Sequence, residues 1–159
     1  MTKQKFLLDD FGECDSFVLI AIHCTLEDYR LVYLINQKLS LKLRRKEKDL
    51  DSSEARYSIF EWNDPKNLST WNIISNYYRT EQGIEINEGT LFSDQANIVK
   101  TFHLVPEYNT ANYLLKTTNQ TLFFEKNEII DELLEIPQVV LAYEIKTERL
   151  KSKTNLIFN

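Results

Sequence analysis

The sequence predicts an α+β fold: a two-layer sandwich in which two helices cover one face of a mainly antiparallel sheet. Three observations carry that expectation. Residues 17–24 are continuously apolar apart from His23, which suits a strand buried on both faces. Two amphipathic stretches, residues 25–39 and 127–134, each lie between strand-like runs and read as helices. An aromatic-rich hairpin pattern, residues 56–62 and 69–78, separates the two β-α-β units. The specific topology expected is a ferredoxin-like core interrupted by this β-meander. At 159 residues, the chain is expected to form one domain spanning 1–159.

Taken in order, residues 4–8 read as a short edge strand ending at Asp9, Asp10 and Gly12. After the central strand, Thr25 is placed to cap a helix, with Asp28 in the capping-box position. Leu31, Leu34, Ile35 and Leu39 form the apolar side of that helix, and Arg30, Asn36 and Gln37 face outward. Residues 41–44 alternate as a strand, so this unit is β-α-β with parallel strands. Residues 45–54 are charged and read as an exposed loop. In the hairpin that follows, Asn63, Asp64 and Pro65 supply turn chemistry. Residues 79–98 are the least legible, with turns at 81–83 and 87–89, a short strand at Leu91 and Phe92, and the greatest mobility expected. Asn127 caps a second helix bearing Ile129, Ile130, Leu133 and Leu134, which Pro137 stops. Residues 138–145 form the last strong strand, and 147–155 a helical turn before Leu156, Ile157 and Phe158.

The most specific pattern lies at residues 104–116. Pro106 fixes φ and has no N–H, so a strand entering at Phe102 ends at Val105. Glu107 follows at once and suits the start of a short helical turn. Ala111, Tyr113 and Leu115 then alternate with Asn112, Leu114 and Lys116 as a new strand. The spacing of Val105, Pro106 and Glu107 against Ala111, Asn112 and Tyr113 resembles the signature of the IPExxxVDY family, small bacterial proteins of the Bacteroidetes. Pro106, Glu107 and Tyr113 match it outright; Val105 and Ala111 are apolar replacements, and Asn112 replaces the acid. The resemblance extends to residues 7–10, 27–31 and 150–158, and so covers most of the chain. It implies a family without a mechanism. The Asn at 112 argues against an indispensable acid, base or ligand there, which leaves Glu107 as the leading functional acid.

Composition narrows the function further. A net charge of −5 opposes general affinity for nucleic acid or anionic lipid. Cys14 and Cys24 are too few for a disulfide framework. No apolar run reaches membrane-spanning length and the start lacks a signal-peptide layout, so a cytoplasmic location without membrane association is expected.

Catalytic signatures are sparse. There is no Gly-x-Ser-x-Gly elbow or glycine-rich phosphate loop. Cys14 has acidic neighbours that would raise its thiol pKa and make it less reactive. His23 and Cys24 are adjacent in a strand and point to opposite faces, so no shared metal and no cofactor is expected. The acidic pairs Asp9/Asp10, Glu27/Asp28 and Glu85/Glu88 read as solvated turns or helix-start charges. Lys42, Arg44, Arg45, Lys46 and Lys48 lie near Tyr57, Phe60, Trp62, Trp71, Tyr77 and Tyr78, a combination used to hold single-stranded nucleic acid. Interleaved acids and the core-like placing of the aromatics oppose that partner. The expected function is a non-catalytic protein-binding or regulatory module whose partner is another protein or a second copy. A small-molecule-binding module is the alternative, and an enzyme built around Glu107, Tyr113, Arg30 and His23 the third class.

Overall fold

The computed structural model describes residues 16–83, 97–118 and 122–158. In chain order the elements are β1 (Val18–Cys24), α1 (Asp28–Leu39), β2 (Arg44–Arg45), β3 (Leu50–Asp51), β4 (Arg56–Tyr57), β5 (Ile59–Asp64), β6 (Ser69–Ser75), β7 (Tyr77–Gly83), β8 (Asn97–His103), β9 (Tyr113–Thr117), α2 (Leu122–Leu134) and β10 (Val139–Ile145). Six strands form the main sheet in the order β10-β1-β9-β6-β5-β2, and every neighbouring pair is antiparallel. Strands β3 and β4 form one separate ribbon, and β7 and β8 another.

Within the sheet, β1, β6, β9 and β10 stand in the spatial order fourth, first, third, second. This is the split β-α-β order of a ferredoxin-like core, with β2 to β5 inserted between α1 and β6. Because neighbours alternate in direction, β1 and β2 run the same way, as do β9 and β10. Neither pair is adjacent, since strands from elsewhere in the chain fill the gaps. The expected parallel direction holds, whereas direct parallel pairing does not occur.

Both helices lie on one face. Val18, Ile20, Ile22 and Cys24 of β1 pack with Leu31, Val32 and Ile35 of α1 and with Ile129 and Leu133 of α2. The opposite face has its own apolar layer. There Phe17, Leu19, Ala21 and Leu114 meet Leu104, Val105, Ala111 and Leu156, contributed by the chain between β8 and β9 and by the C-terminal segment. This double covering explains why all five residues of β9 are buried, Lys116 included, although alternation alone placed Leu114 and Lys116 outward.

Several boundaries differ from the sequence expectation for tertiary reasons. Helix α1 begins at Asp28, not Thr25, and its N-cap Glu27 makes no side-chain capping bond. The Tyr113 hydroxyl donates to the Leu26 carbonyl at 2.6 Å, and the Cys24 N–H donates to Asn112 Oδ1 at 2.9 Å. These bonds fix the chain on either side of Thr25 and delay the helix. Asn36 is turned inward: its amide bonds both the N–H and the carbonyl of Leu43, so residues 41–43 follow the helix end rather than a strand. Helix α2 begins at Leu122, which makes Asn127 an exposed interior residue, a position that costs an Asn well under about 1 kcal/mol. Leu134 is exposed and Ile136 takes the buried place. Residues 45–54 include β2 and β3, and β6 stops at Ser75 because Asn76 redirects the chain. Residues 81–83, expected as a turn, instead finish β7 and pair with β8, a ribbon whose strands carry polar residues on both faces.

The strand expected at 4–8, Asp9, Asp10, Cys14, the turn at 87–89, Glu85, Glu88, and the strand at Leu91 and Phe92 lie outside the described residues. Among the described residues, no helix is long and apolar enough to cross a membrane.

The second apolar layer makes a quantitative demand on the C-terminal segment. Leu156 is fully buried in it. Replacing Leu156 with Ala is expected to cost about 2–5 kcal/mol of unfolding free energy by urea denaturation. A loss within about 0.5 kcal/mol, typical of surface substitutions, would show that this layer is not a packed core.

Candidate functional site

The incoming strand, β8, is expected to run to Val105 but ends at His103; Leu104 and Val105 are a bend that leads into a proline-headed turn and then a strand. Pro106–Tyr108 forms a single 3-10 turn with proline at its first position, and β9 starts at Tyr113. What holds this stretch is a residue from another strand. Asn76 is fully buried, and its Nδ2 donates to the carbonyls of Tyr108 (2.9 Å) and Ala111 (3.0 Å). Its Oδ1 accepts from the Val105 N–H at 2.9 Å. Its backbone adds two bonds, N–H to the Asn112 carbonyl and carbonyl to the Leu104 N–H. One residue thereby satisfies the interior of the whole turn.

Glu107 points away from this hub, toward the C-terminal segment. Its Oε2 accepts from the N–H groups of Lys151 (3.1 Å) and Ser152 (3.3 Å) and from the Ser152 hydroxyl (3.0 Å). Partial burial opposes ionisation, but these donors outweigh it and hold the carboxyl below its ordinary value. Two further bonds fasten the same segment: Asn155 Nδ2 to the Leu104 carbonyl at 2.9 Å, and Lys116 Nζ to the Leu156 carbonyl. The Lys116 ammonium also lies 4.7 Å from the Phe17 ring centre and 4.3 Å from that of Phe158.

Asn112 ties the turn to β1. Its N–H donates to the Ile22 carbonyl and its Oδ1 accepts from Cys24. That geometry uses an acceptor oxygen, which Asn and Asp both supply. Tyr113 projects to the helix face, where its hydroxyl is committed to Leu26. Burial first, with Tyr77 and nearby acids adding to it, pushes this phenol far above the ordinary tyrosine range, so it remains a donor.

Glu107 and Tyr113 therefore act on opposite sides of the sheet. The other two candidates join neither. His23 Nε2 meets the Tyr143 hydroxyl at 3.1 Å, with the rings 5.5 Å apart, while Tyr143 in turn lies near Tyr108. Arg30 is exposed on α1, its guanidinium 5.9 Å from the Tyr29 ring centre. The arrangement can clamp chain segments together; it presents no acid, base and substrate space in common. Burial raises the Cys24 thiol, which opposes a nucleophilic role. Among the described residues, no group of three His, Cys, Asp or Glu side chains is placed to hold a metal ion. In the basic segment, Arg45 pairs with Asp49 and Lys46 with Glu61, while Tyr57, Phe60 and Trp71 are buried in the core.

The surface offers something different beside Arg30. Leu26, Tyr29, Arg30, Tyr33, Leu34 and Gln138 line an open, mostly apolar depression of about 520 Å³. Tyr29 is 56% and Tyr33 62% exposed. Both edges of the six-stranded sheet are poor surfaces for strand addition. On β10, the pairing slips between His23–Leu141 and Cys24–Val139, leaving Val140 as an extra residue 78% exposed. The β2 edge is two residues long, both arginines.

Asn76 was the residue missed by reasoning from the chain alone. A lone Asn interrupting Ile73-Ile74 and Tyr77-Tyr78 was the available signal, since a polar residue inside an apolar run must find partners if buried.

Asn76→Ala leaves the Val105 N–H and the Ala111 carbonyl without their Asn76 partner and the Tyr108 carbonyl with the Ala111 N–H alone, and we expect a loss of about 3 kcal/mol or more in chemical denaturation. Asn112→Asp keeps the acceptor and is expected to stay within about 1 kcal/mol of the parent, whereas Asn112→Leu does not. For Glu107 the depressed pKa fixes the sign of the pH dependence. Its stabilisation is present above the ordinary Glu value, roughly 4.3, and disappears as pH falls through the lower folded value. The gap in melting temperature between the parent and Glu107→Ala should narrow on acidification; a gap constant from neutral pH to pH 3 would remove the carboxylate clamp.

Compared with family models, curated proteins and solved structures, the chain finds no match.

Proposed function

We propose that this chain is a non-catalytic protein-binding module of the IPExxxVDY type. In this reading its signature residues build the fold, and its contact surface lies on α1. The observation that carries the proposal is the pair of exposed tyrosines, Tyr29 and Tyr33, bordering an apolar depression with Arg30 at its rim. Tyr and Arg are the side chains that most often anchor protein contacts, because they bury large area at low entropic cost and keep a polar end. Helix α1 is braced from behind by Leu31, Val32 and Ile35 in the core, so the surface is rigid before binding.

The same geometry separates this function from the enzymatic one. Glu107, Tyr113 and His23 have hydrogen-bond partners elsewhere in the fold, and only Arg30 faces the depression. The preferred occupant is an apolar or aromatic anchor from another protein, since the lining is apolar and open. The two edges of the six-stranded sheet are unsuited to strand pairing, which favours the helix surface for a partner or a second copy.

The double variant Tyr29→Ala/Tyr33→Ala tests this without touching the core. It should fold with a melting temperature within a few degrees of the parent and lose about tenfold or more in affinity for whatever co-purifies with it, or for itself. If the parent is a monomer with no co-purifying protein, or the variant retains every partner at equal affinity, the proposal fails.

A further inference from the structure

We propose a second site, for an organic cation carrying a guanidinium or ammonium group, in the cleft between α2 and the β5–β6 hairpin. The cleft has a volume of about 360 Å³ and is lined by Trp62, Trp71, Asp64, Glu125, Glu128 and Glu132, over an apolar floor from the end of α1. It shares no residue with the Tyr29 surface and does not depend on the function proposed there.

Trp62 and Trp71 are direct cross-strand partners, so both indoles stand on the same face of the sheet. Opposite them, Glu125, Glu128 and Glu132 recur three and four residues apart and share one side of α2. Like charges at that spacing repel, and none of the three is in an ion pair among the described residues. The next acid in the chain, Glu135 in the turn just past the helix, does have a partner, Lys38 of α1. Asp64 adds negative potential from the hairpin side, with its oxygens already engaged by Asn67 Nδ2 at 2.6 Å and the Lys66 N–H at 2.9 Å. Carboxylates facing aromatic rings suit a cation that is delocalised or weakly hydrated.

A second observation is independent of the acids. Trp71 is only 6% exposed, lines the cleft, and has a buried indole N–H without an acceptor among the described residues. Buried donors of this kind are rare and call for a partner. An occupant that brings a carbonyl oxygen together with its cation would answer both features, with a small shift of the Trp71 side chain to uncover its N–H. An arginine or lysine residue has that combination, either within a partner protein or as a free amino-acid derivative.

The chain contains only these two tryptophans, so their emission reports the cleft directly. Titration with N-acetyl-arginine methylamide should give a saturable change that weakens as salt is added. The neutral citrulline analogue should bind about tenfold or more weakly, as should the parent ligand to the Glu128→Gln/Glu132→Gln variant at unchanged melting temperature. A longer arginine-containing peptide that binds more tightly assigns the cation to a protein partner; equal affinity assigns it to a free amine. No saturable response, an equal response to the citrulline analogue, or an undiminished response in the folded variant overturns the site.

Discussion

Asn76 is completely buried, and an amide in that position must find partners for its polar atoms or cost the fold several kcal/mol. It finds them in the backbone of residues 104–112, whose own single 3-10 turn satisfies only part of it. The dependence is mutual. Without Asn76, the Val105 N–H and the Ala111 carbonyl would lose that partner under an apolar layer, and the Tyr108 carbonyl would keep only the Ala111 N–H. With it, the chain can reverse between β8 and β9 and still bury Leu104, Val105 and Ala111 against the sheet.

From that anchored turn the remaining contacts follow. Strand β8 has ended at His103, Pro106 opens the 3-10 turn, and Glu107 is then aimed at the C-terminal segment, where it accepts three hydrogen bonds around Ser152. Reach explains the residue type: a Ser or Asp at 107 would hold its oxygens one or two bonds short of those donors. Asn112 and Tyr113 act in the other direction, fastening the end of β1 and the start of α1. The turn thus connects the irregular layer on one face of the sheet to the helical layer on the other.

Much of the fold was legible because local pattern and tertiary demand agree. The apolar run at β1, the turn chemistry after Asn63, the proline-headed turn at Pro106 and the final strand all read correctly, and β1 and β10 begin within a residue of expectation, whereas the strand before Pro106 ends two residues earlier than expected. Legibility failed where long-range bonds decided the outcome. Thr25 looked like a helix cap, but Asn112 and Tyr113, about 90 residues away in sequence, set the helix start instead. The β7–β8 ribbon gave little hydrophobic alternation because neither face supports a large apolar layer. In the motif, the residue types pointed to structure, and their common hub could not be seen because Asn76 lies about 30 residues earlier.

With the motif occupied in holding the fold together, the two proposed recognition sites are surface features: a tyrosine-lined depression on α1 and an acidic, tryptophan-lined cleft beside α2. Both sit on the helical side, while the clamped side carries the fold. The most direct test of this division is native-state hydrogen exchange at the Val105 amide, whose only bond is to the Asn76 side chain among the described residues. The prediction is exchange as slow as the central β1 amides, opening only with global unfolding. Fast exchange through local opening, while β1 stays protected, would contradict the claim that the Asn76 turn is the framework of the fold.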